Sequence, residues 1–343
     1  MMELSAQWED GAAREQALSE LLAAEPHLAY RNFGPIEGRG GGALALQRRR
    51  WSAPEAQVLV VRDRSGRPLA ALRVQHRTFE SAHFARAVAG VDAPAAVAGE
   101  AERLSALRAA YAELVAALRV RGYAHLMASV STQDRAAYRA VQEAGCFHVG
   151  TRISWMQSLT GAAAESELAA PLRIELHERE QIPRLPRASW RRLHEYCRHA
   201  FDRGPFVFDA DVPLERATEL YQVWTEKALT GEWCDALLVV RDGEEIIAFN
   251  AMLLLEDLSE AAGAGILGRG IGASLPGYRG LFTALQKECS ARRPLGASYL
   301  ENEAQASTIG SINVFGRLGH HCFRSTASFH RALQGVDPTG RAG

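Results

Sequence analysis

Leu275-Pro276-Gly277-Tyr278-Arg279-Gly280-Leu281-Phe282-Thr283-Ala284-Leu285 is the stretch on which the reading of this chain turns. Ahead of it, Gly265 to Ser274 reads as a strand; behind it, Leu281 to Arg292 reads as an amphipathic helix. A strand, a glycine-containing turn and a helix present several backbone N–H groups at the positive end of a helix dipole, an arrangement that attracts phosphate. The glycines matter because backbone approaches a pyrophosphate closely only where no side chain intervenes. A Pro-Gly turn before a surface helix is also a common structural device, so the surrounding elements decide between the two readings.

Downstream, Tyr299 to Glu303 reads as a strand, Thr308 to Leu318 as a helix capped by Gly319, and His321 to His330 as a further strand. Upstream, Leu237 to Arg241 and Glu245 to Asn250 flank Asp242-Gly243, a hairpin signal. The first half repeats this plan. Gln57 to Arg62 and Leu69 to Val74 flank a turn with Ser65-Gly66, and Asp134 to Ala144 reads as a helix capped by Gly145 and followed by a strand, Phe147 to Trp155. AAYRAVQEAGCFHVGTRISW and GSINVFGRLGHHCFRSTASFH each place an apolar helix face, a glycine, then aromatic and histidine residues, which reads as a distant internal duplication. The small-residue run TGAAAESELAAP, 160–171, predicts a linker between domains 1–159 and 172–334, with a tail at 335–343.

Composition agrees with a protein of more than one domain and well-filled cores, since 343 residues exceed the usual single-domain size and 47% of them are apolar. Lys plus Arg (39) nearly equals Asp plus Glu (40), which argues against a nucleic-acid partner. The five cysteines are scattered and lack CxxC spacing, so a reduced cytoplasmic protein is expected and no metal site is read from them. No apolar run approaches the ~20 residues of a membrane span. A soluble monomer or homodimer is expected.

With these elements in place, the chain resembles the GNAT superfamily of N-acyltransferases. PGYRGLFTAL looks like that family's acyl-CoA loop, and EAQASTIGSINVFGRLGHH like its last helix and following turn. Within the superfamily it looks like the N-acetyltransferases of nucleotide-linked 4-amino-4,6-dideoxy sugars, such as TDP-fucosamine; there a segment similar to FDRGPFVFDADVPLERATELYQVWTEKAL precedes the first hairpin. FESAHFARAVAGV and GYAHLMASV in the first half are similar to the incomplete N-terminal region of those enzymes. The resemblance implies two tandem GNAT-like domains, each a mixed central sheet flanked by helices. It implies acetyl-CoA or another short acyl-CoA as co-substrate, no metal, and a small-molecule amine acceptor.

Carried onto this chain, the resemblance implies that the backbone N–H of Gly272 or Ala273 holds the acyl carbonyl, and that Ala273, Ser274 and Leu275 pair with the pantetheine arm. The pyrophosphate falls on Gly277, Tyr278, Arg279, Gly280, Leu281, Phe282 and Thr283. Thr308 stands where an asparagine often contacts the cofactor. Two departures stand out: the turn keeps fewer glycines than usual, and Phe315 occupies the place of a tyrosine that serves the sugar enzymes as an acid. The first half, with DAPAAVAGEAERL in place of a glycine turn, is expected to bind no acyl-CoA.

Acyl transfer from a thioester to an amine needs a donor for the carbonyl oxygen, a base for the amine and tight positioning. A leaving thiol of pKa about 8.5 departs tolerably without an acid. Glu301 and Glu303 alternate with Asn302, share one strand face, and are the candidate bases. Arg203, Phe206 and Asp209, in the loop 201–211, are candidates for acceptor binding, the carboxylate and aromatic suiting an amino sugar and the arginine a phosphate. His320 and His321 read as surface residues, Trp233 and Cys234 as buried at a strand start. The expected function is N-acyl transfer to a primary amine of an amino sugar or similar metabolite in a ternary complex. The alternatives are a catalytically quiet acyl-CoA-binding or assembly protein, and an acyltransferase acting on an antibiotic or carrier-bound amine.

Overall fold

The computed structural model describes residues 4–37, 41–53, 56–161, 168–278 and 280–333. Arg279 of the glycine turn, 162–167 of the expected linker and the tail beyond 333 lie outside the described residues. The chain forms two compact units whose sequences interleave. The first comprises Met1–Arg152, Phe208–Val212 and Arg324–Gly343; the second comprises Ile153–Val207 and Pro213–Phe323.

In the first unit the strands are β1 (Leu4–Glu9), β2 (Gln57–Asp63), β3 (Pro68–His76), β4 (Val88–Asp92), the short β5 (Ala95–Ala96), β6 (His125–Ser131) and the first half of β7 (Phe147–Ser158). β1 to β4 pair antiparallel in chain order, β4 and β6 pair parallel, and β5 pairs with β3. The β2–β3 hairpin turns where the sequence predicts it. Oδ1 of Asp63 accepts hydrogen bonds from Ser65 N at 2.9 Å, Ser65 Oγ at 2.6 Å and Arg67 N at 3.1 Å. β2 is buried on both faces, and its alternation sorts the core. Leu59 and Val61 meet Leu107, Tyr111 and Leu114 of the helix Glu100–Val120, whereas Val58 and Val60 meet Leu18, Leu21 and Leu22 of the helix Gly11–Ala24. The sheet takes its last strand from far along the chain: Thr326 to Ala332 of β14 (His321–Ala332) run antiparallel to β6, Thr326 opposite Ser131 and Ala332 opposite His125.

The second unit repeats the order. β8 (Arg173–Glu178), β9 (Ala236–Asp242) and β10 (Glu245–Leu254) pair antiparallel in succession. β11 (Ile266–Gly268) continues antiparallel to β10 and parallel to β13 (Tyr299–Gln305), while β12 (Gly272–Ser274) pairs with β10. The second half of β7 neighbours β13. Helix Arg187–Ala200 buries Trp190, Leu193 and Cys197 at helical spacing, and Leu281–Arg292 buries Leu281, Leu285 and Cys289 the same way. Among the described residues no helix is long and apolar enough to cross a membrane.

One polar cluster pins the first unit from inside. Arg103 projects its guanidinium between two buried carboxylates, Nη1 at 3.0 Å and Nη2 at 3.1 Å from Glu25, Nε at 3.1 Å from Asp134 and Nη2 bonded to Asp134 as well. Burial works against the charge, but the bonds to Asp134 and Glu25 outweigh it and raise the Arg103 pKa above the ordinary arginine value. Each carboxylate has a second duty: Glu25 accepts from Ala96 N at 2.9 Å, and Asp134 caps the helix Arg135–Glu143 through Ala137 N at 3.0 Å. Arg103→Leu leaves two carboxylates buried without their cation. It is expected to lower the unfolding free energy by about 3–5 kcal/mol, read from urea denaturation, with Arg103→Lys recovering only part because an ammonium cannot reproduce the fork.

Candidate functional site

The sequence predicts one strand over Gly265 to Ser274; the structure breaks it. Leu253 stands opposite Gly268 but Asn250 stands opposite Gly272, so four steps along one strand match three along the other. This one-residue bulge is taken up at Arg269, whose φ of +52° is left-handed, and at Gly270. A Cβ on Gly270 would sit 1.6 Å from the carbonyl oxygen of Ala251, so only glycine lets the bulge close on β10.

The bulge has a consequence for β13. Ile266, Leu267 and Gly268 pair with Tyr299, Leu300 and Glu301, and there the pairing of the two strands ends. Beyond it β12 stays on β10, with Leu275 N donating to Ile247 O at 2.8 Å and Ala251 N to Ile271 O at 2.9 Å. Antiparallel alternation then commits the N–H and C=O of Ala273 to Phe249, and turns those of Gly272 and Ser274 toward the edge that β13 has left. A notch with backbone donors on one side opens between β12 and Asn302–Gln305 of β13.

At the end of β12 the chain enters the glycine turn. Gly277 and Gly280 have φ of +93° and +82°, and Gly280 is the N-cap of the helix Leu281–Arg292. That cap makes no side-chain hydrogen bond, and the first turn holds no acidic residue. The amides of the first turn therefore face outward without an internal anion. Tyr278 anchors the turn, its hydroxyl donating to Asp242 Oδ2 in the β9–β10 hairpin at 2.9 Å; that bond raises the phenol's pKa.

On β13, Glu301 is buried, while Glu303 is half-buried and its Oε1 accepts from Ser154 Oγ at 2.9 Å. Asn302, on the opposite face, donates to Gln286 Oε1 at 3.1 Å and lies 3.5 Å from His320 Nδ1. The latter contact makes Nδ1 the acceptor and leaves the hydrogen on Nε2. Asn250 Nδ2, Gln286 Nε2 and His320 Nε2 are buried without a protein partner, which marks places for water or ligand oxygen. His320, expected at the surface, is 5% exposed and stacks on Phe315 at 5.2 Å. Burial, with His321 alongside, pushes its pKa down to about 4. Phe315 is itself buried, edge-on to Phe282 and tilted against Trp155. Thr308 is the N-cap of the helix Ile309–Arg317 and makes no capping bond of its own.

The three acceptor candidates have different surroundings. Arg203 is exposed, and its Nη1 donates to Ser307 O at 2.7 Å, next to Thr308. Phe206 is buried against Trp224 and packs as core. Asp209 belongs to the first unit, is fully buried, and bonds His330 Nδ1 at 2.6 Å. Its carboxylate is thus occupied internally, a placement that no local sequence signal announces across 121 residues. Cys234 is buried with its pKa pushed up to about 12, far from a thiolate nucleophile, while Trp233 beside it is exposed.

No protein-family profile matches the chain, and no curated protein matches it. Its fold is similar to that of a GCN5-related N-acetyltransferase from Sphaerobacter thermophilus, 16% identical, with a TM-score of 0.57 over 96% of each chain. It is also similar to the GCN5-related glucosamine N-acetyltransferase region of a fungal multi-domain beta-N-acetylglucosaminidase, 12% identical, with a TM-score of 0.55 over 96% of this chain and 38% of that one. A tandem GNAT protein from the clavulanic acid biosynthesis pathway aligns at 15% identity and a TM-score of 0.49 over 98% and 100% of the two chains. The fold is that of the GNAT proteins, α/β with a mixed central sheet flanked by helices, and the plan occurs twice along this chain.

Two outcomes follow from this geometry. Gly270→Ala forces the backbone of β10 away from the bulge and is expected to cost about 1–3 kcal/mol or more, measured by urea unfolding. His320 is less basic folded than unfolded, so protonation favours the unfolded chain: stability falls as pH drops from about 6.5 toward 4. Over that window the contribution is roughly 3 kcal/mol, and unfolding curves of His320→Asn should show that much less pH dependence than the parent.

Proposed function

We propose that the second unit is an acyl-CoA-dependent N-acyltransferase that moves an acetyl or other short acyl group to a primary amine of an amino sugar or similar small metabolite. The observation that carries this reading is the notch. β12 leaves β13 immediately before an uncapped, left-handed glycine turn, so an extended ligand meets free backbone donors and then a cluster of helix N–H groups within one continuous stretch. The GNAT fold supports it.

In this reading the N–H groups of Gly272 and Ser274 face the ligand, and Gly272 takes the carbonyl oxygen as negative charge develops there. A fixed donor at that point is worth about 10²–10³ in kcat. The amides of Gly277, Gly280, Leu281, Phe282 and Thr283 hold the pyrophosphate, since no acidic side chain of the first turn opposes it. Glu303 is the base. It is half-buried and oriented by Ser154 Oγ, whereas Glu301, on the same face, is buried nearer the paired end of β13. Arg203 beside Ser307 suits an anionic portion of the acceptor.

The first unit repeats the slip, Val74 standing opposite Val91 but Ala71 opposite Ala95, yet its outward-facing donor is already taken, since Ala96 N bonds Glu25 Oε2 at 2.9 Å. β4 and β6 stay paired as far as Asp92 and Ser129, and Glu100 and Glu102 occupy the first turn of the helix Glu100–Val120, where their charge opposes a pyrophosphate. The unit serves in this reading as scaffold. A second reading, a quiet acyl-CoA-binding protein, is favoured by Phe315, which brings no proton donor to the place where related sugar enzymes have one.

Gly280→Glu places bulk and charge where the pyrophosphate would lie and is expected to abolish CoA binding in calorimetry; unchanged affinity would refute the site. Thiol release from acetyl-CoA across a panel of amines separates the two readings. Turnover should appear with at least one amino sugar, and Glu303→Gln should lower kcat by about 10²-fold with CoA affinity intact. Normal CoA binding with no thiol release from any amine would leave only the binding protein.

A further inference from the structure

A second cluster lies in the first unit, outside any role in acyl transfer. His125 opens β6 and His330 lies on β14; in the ladder Ala332 stands opposite His125 and Met127 opposite His330, which puts both imidazoles on one face of the sheet. Asp209 reaches them from Phe208–Val212, a short segment the first unit takes from within the sequence of the second. Asp209 Oδ1 is bound by Asp211 N at 2.9 Å, which leaves Oδ2 for the histidines: 2.6 Å from His330 Nδ1 and 3.0 Å from His125 Nε2. The side chains of His125, Asp209 and His330 are 2%, 0% and 1% exposed, and one ligating atom from each lies within 4.8 Å of the others.

An ordinary hydrogen-bonded network does not account for His125. Its Nε2 approaches Asp209 without the alignment of a hydrogen bond, and neither of its ring nitrogens has a hydrogen-bond partner. Buried polar atoms are almost always matched, and a nitrogen lone pair is matched as well by a cation as by a proton donor. Two imidazoles and one carboxylate oxygen are the donor set that divalent ions such as zinc prefer. Hard ions such as magnesium and calcium ask for several oxygens, which this cluster does not offer.

We propose that His125, Asp209 and His330 bind a divalent transition-metal cation of the zinc class, which staples the segment Phe208–Val212 into the first unit. Four-coordinate zinc holds ligands at about 2.0–2.2 Å, hence about 3.3–3.5 Å from one another. Asp209 and His330 therefore need to separate by less than ~1 Å, a movement of side chains alone. The proton between His330 Nδ1 and Asp209 is released to solvent as the metal enters, and a water completes the coordination. Arg86, whose Nη1 donates to Asp211 O at 3.1 Å and whose charge lies in the field of Asp209, already balances the carboxylate. The site then depends on its nitrogen donors more than on charge, and its affinity is moderate.

The test uses the full chain, dialysed against chelator and titrated with Co2+, then with Zn2+ in competition. One equivalent of Co2+ should bind with ligand-field bands of a nitrogen-rich site, Zn2+ should displace it, and excess Zn2+ should raise Tm by about 5 °C. His125→Gln and Asp209→Asn should each lose the bands and the shift, while His199→Gln, at an exposed helical position, should keep both. Should the buried variants fail to fold, histidine ring NMR of the parent chain decides, because Zn2+ should move the signals of two histidines only. No stoichiometric Co2+ binding, a Tm indifferent to Zn2+, or bands that persist in both His125→Gln and Asp209→Asn would overturn the proposal.

Discussion

A single extra residue between Gly268 and Gly272 governs the chemistry available to the second unit. Were β11 and β12 one uninterrupted strand, the amides of Gly272 and Ser274 would be spent on β13 and no ligand could find a backbone donor there. The slip is stable because Gly270 tolerates the carbonyl of Ala251 at a distance no side chain permits. Its effect is to divide the strand within five residues: β11 pairs on both edges, and β12 pairs with β10 and turns its other edge away from the ladder. The glycine turn that follows is held to the sheet by Tyr278 and Asp242, so donors in the notch and donors at the helix start keep a fixed spacing.

The first unit has the same slip between β4 and β5, Val74 opposite Val91 but Ala71 opposite Ala95, and shows what the plan becomes when the outward donor is taken internally, by Glu25 at Ala96 N. β4 and β6 remain paired over five positions, the helix that follows starts with glutamates, and the interior is tied by a guanidinium between two carboxylates. An Arg103 network of this kind is an expensive way to fill a core, since apolar residues of similar size often do as well. Its value here is geometric: Glu25 and Asp134 each fix a backbone amide, so one side chain sets the mutual positions of β5, the helix Glu100–Val120 and the start of the helix Arg135–Glu143.

The parts of this molecule legible in the sequence are those written locally. Asp242-Gly243 and the Asp63-to-Pro68 turn announce their hairpins because the turn chemistry and both strands lie within about twenty residues. Gly280 announces a helix start for the same reason. The bulge was not legible, because a strand rich in glycine looks continuous until the carbonyl of Ala251 is seen to exclude a Cβ. His320 read as a turn residue; its burial depends on Asn302 and Phe315, which the sequence places on other elements. Asp209 read as part of a binding loop, and only the fold reveals that its partners are a residue at the start of β6 and another on β14. The interleaving of the two units, too, has no signature in composition or periodicity, since β7 and β14 look like the closing strands of the halves that precede them.

That interleaving dictates the order of events at synthesis. The sheet of the first unit is complete only when Thr326 to Ala332 can pair with β6, so a nascent chain carries an open, apolar β6 edge until nearly all of the residues described here have been made. Pairings between segments this distant are slow to form, and an unpaired edge invites association with other chains. The apolar register of β6, with Leu126, Ala128 and Val130 buried beneath that edge, makes the waiting period a hazard for which this topology trades the independence of its halves.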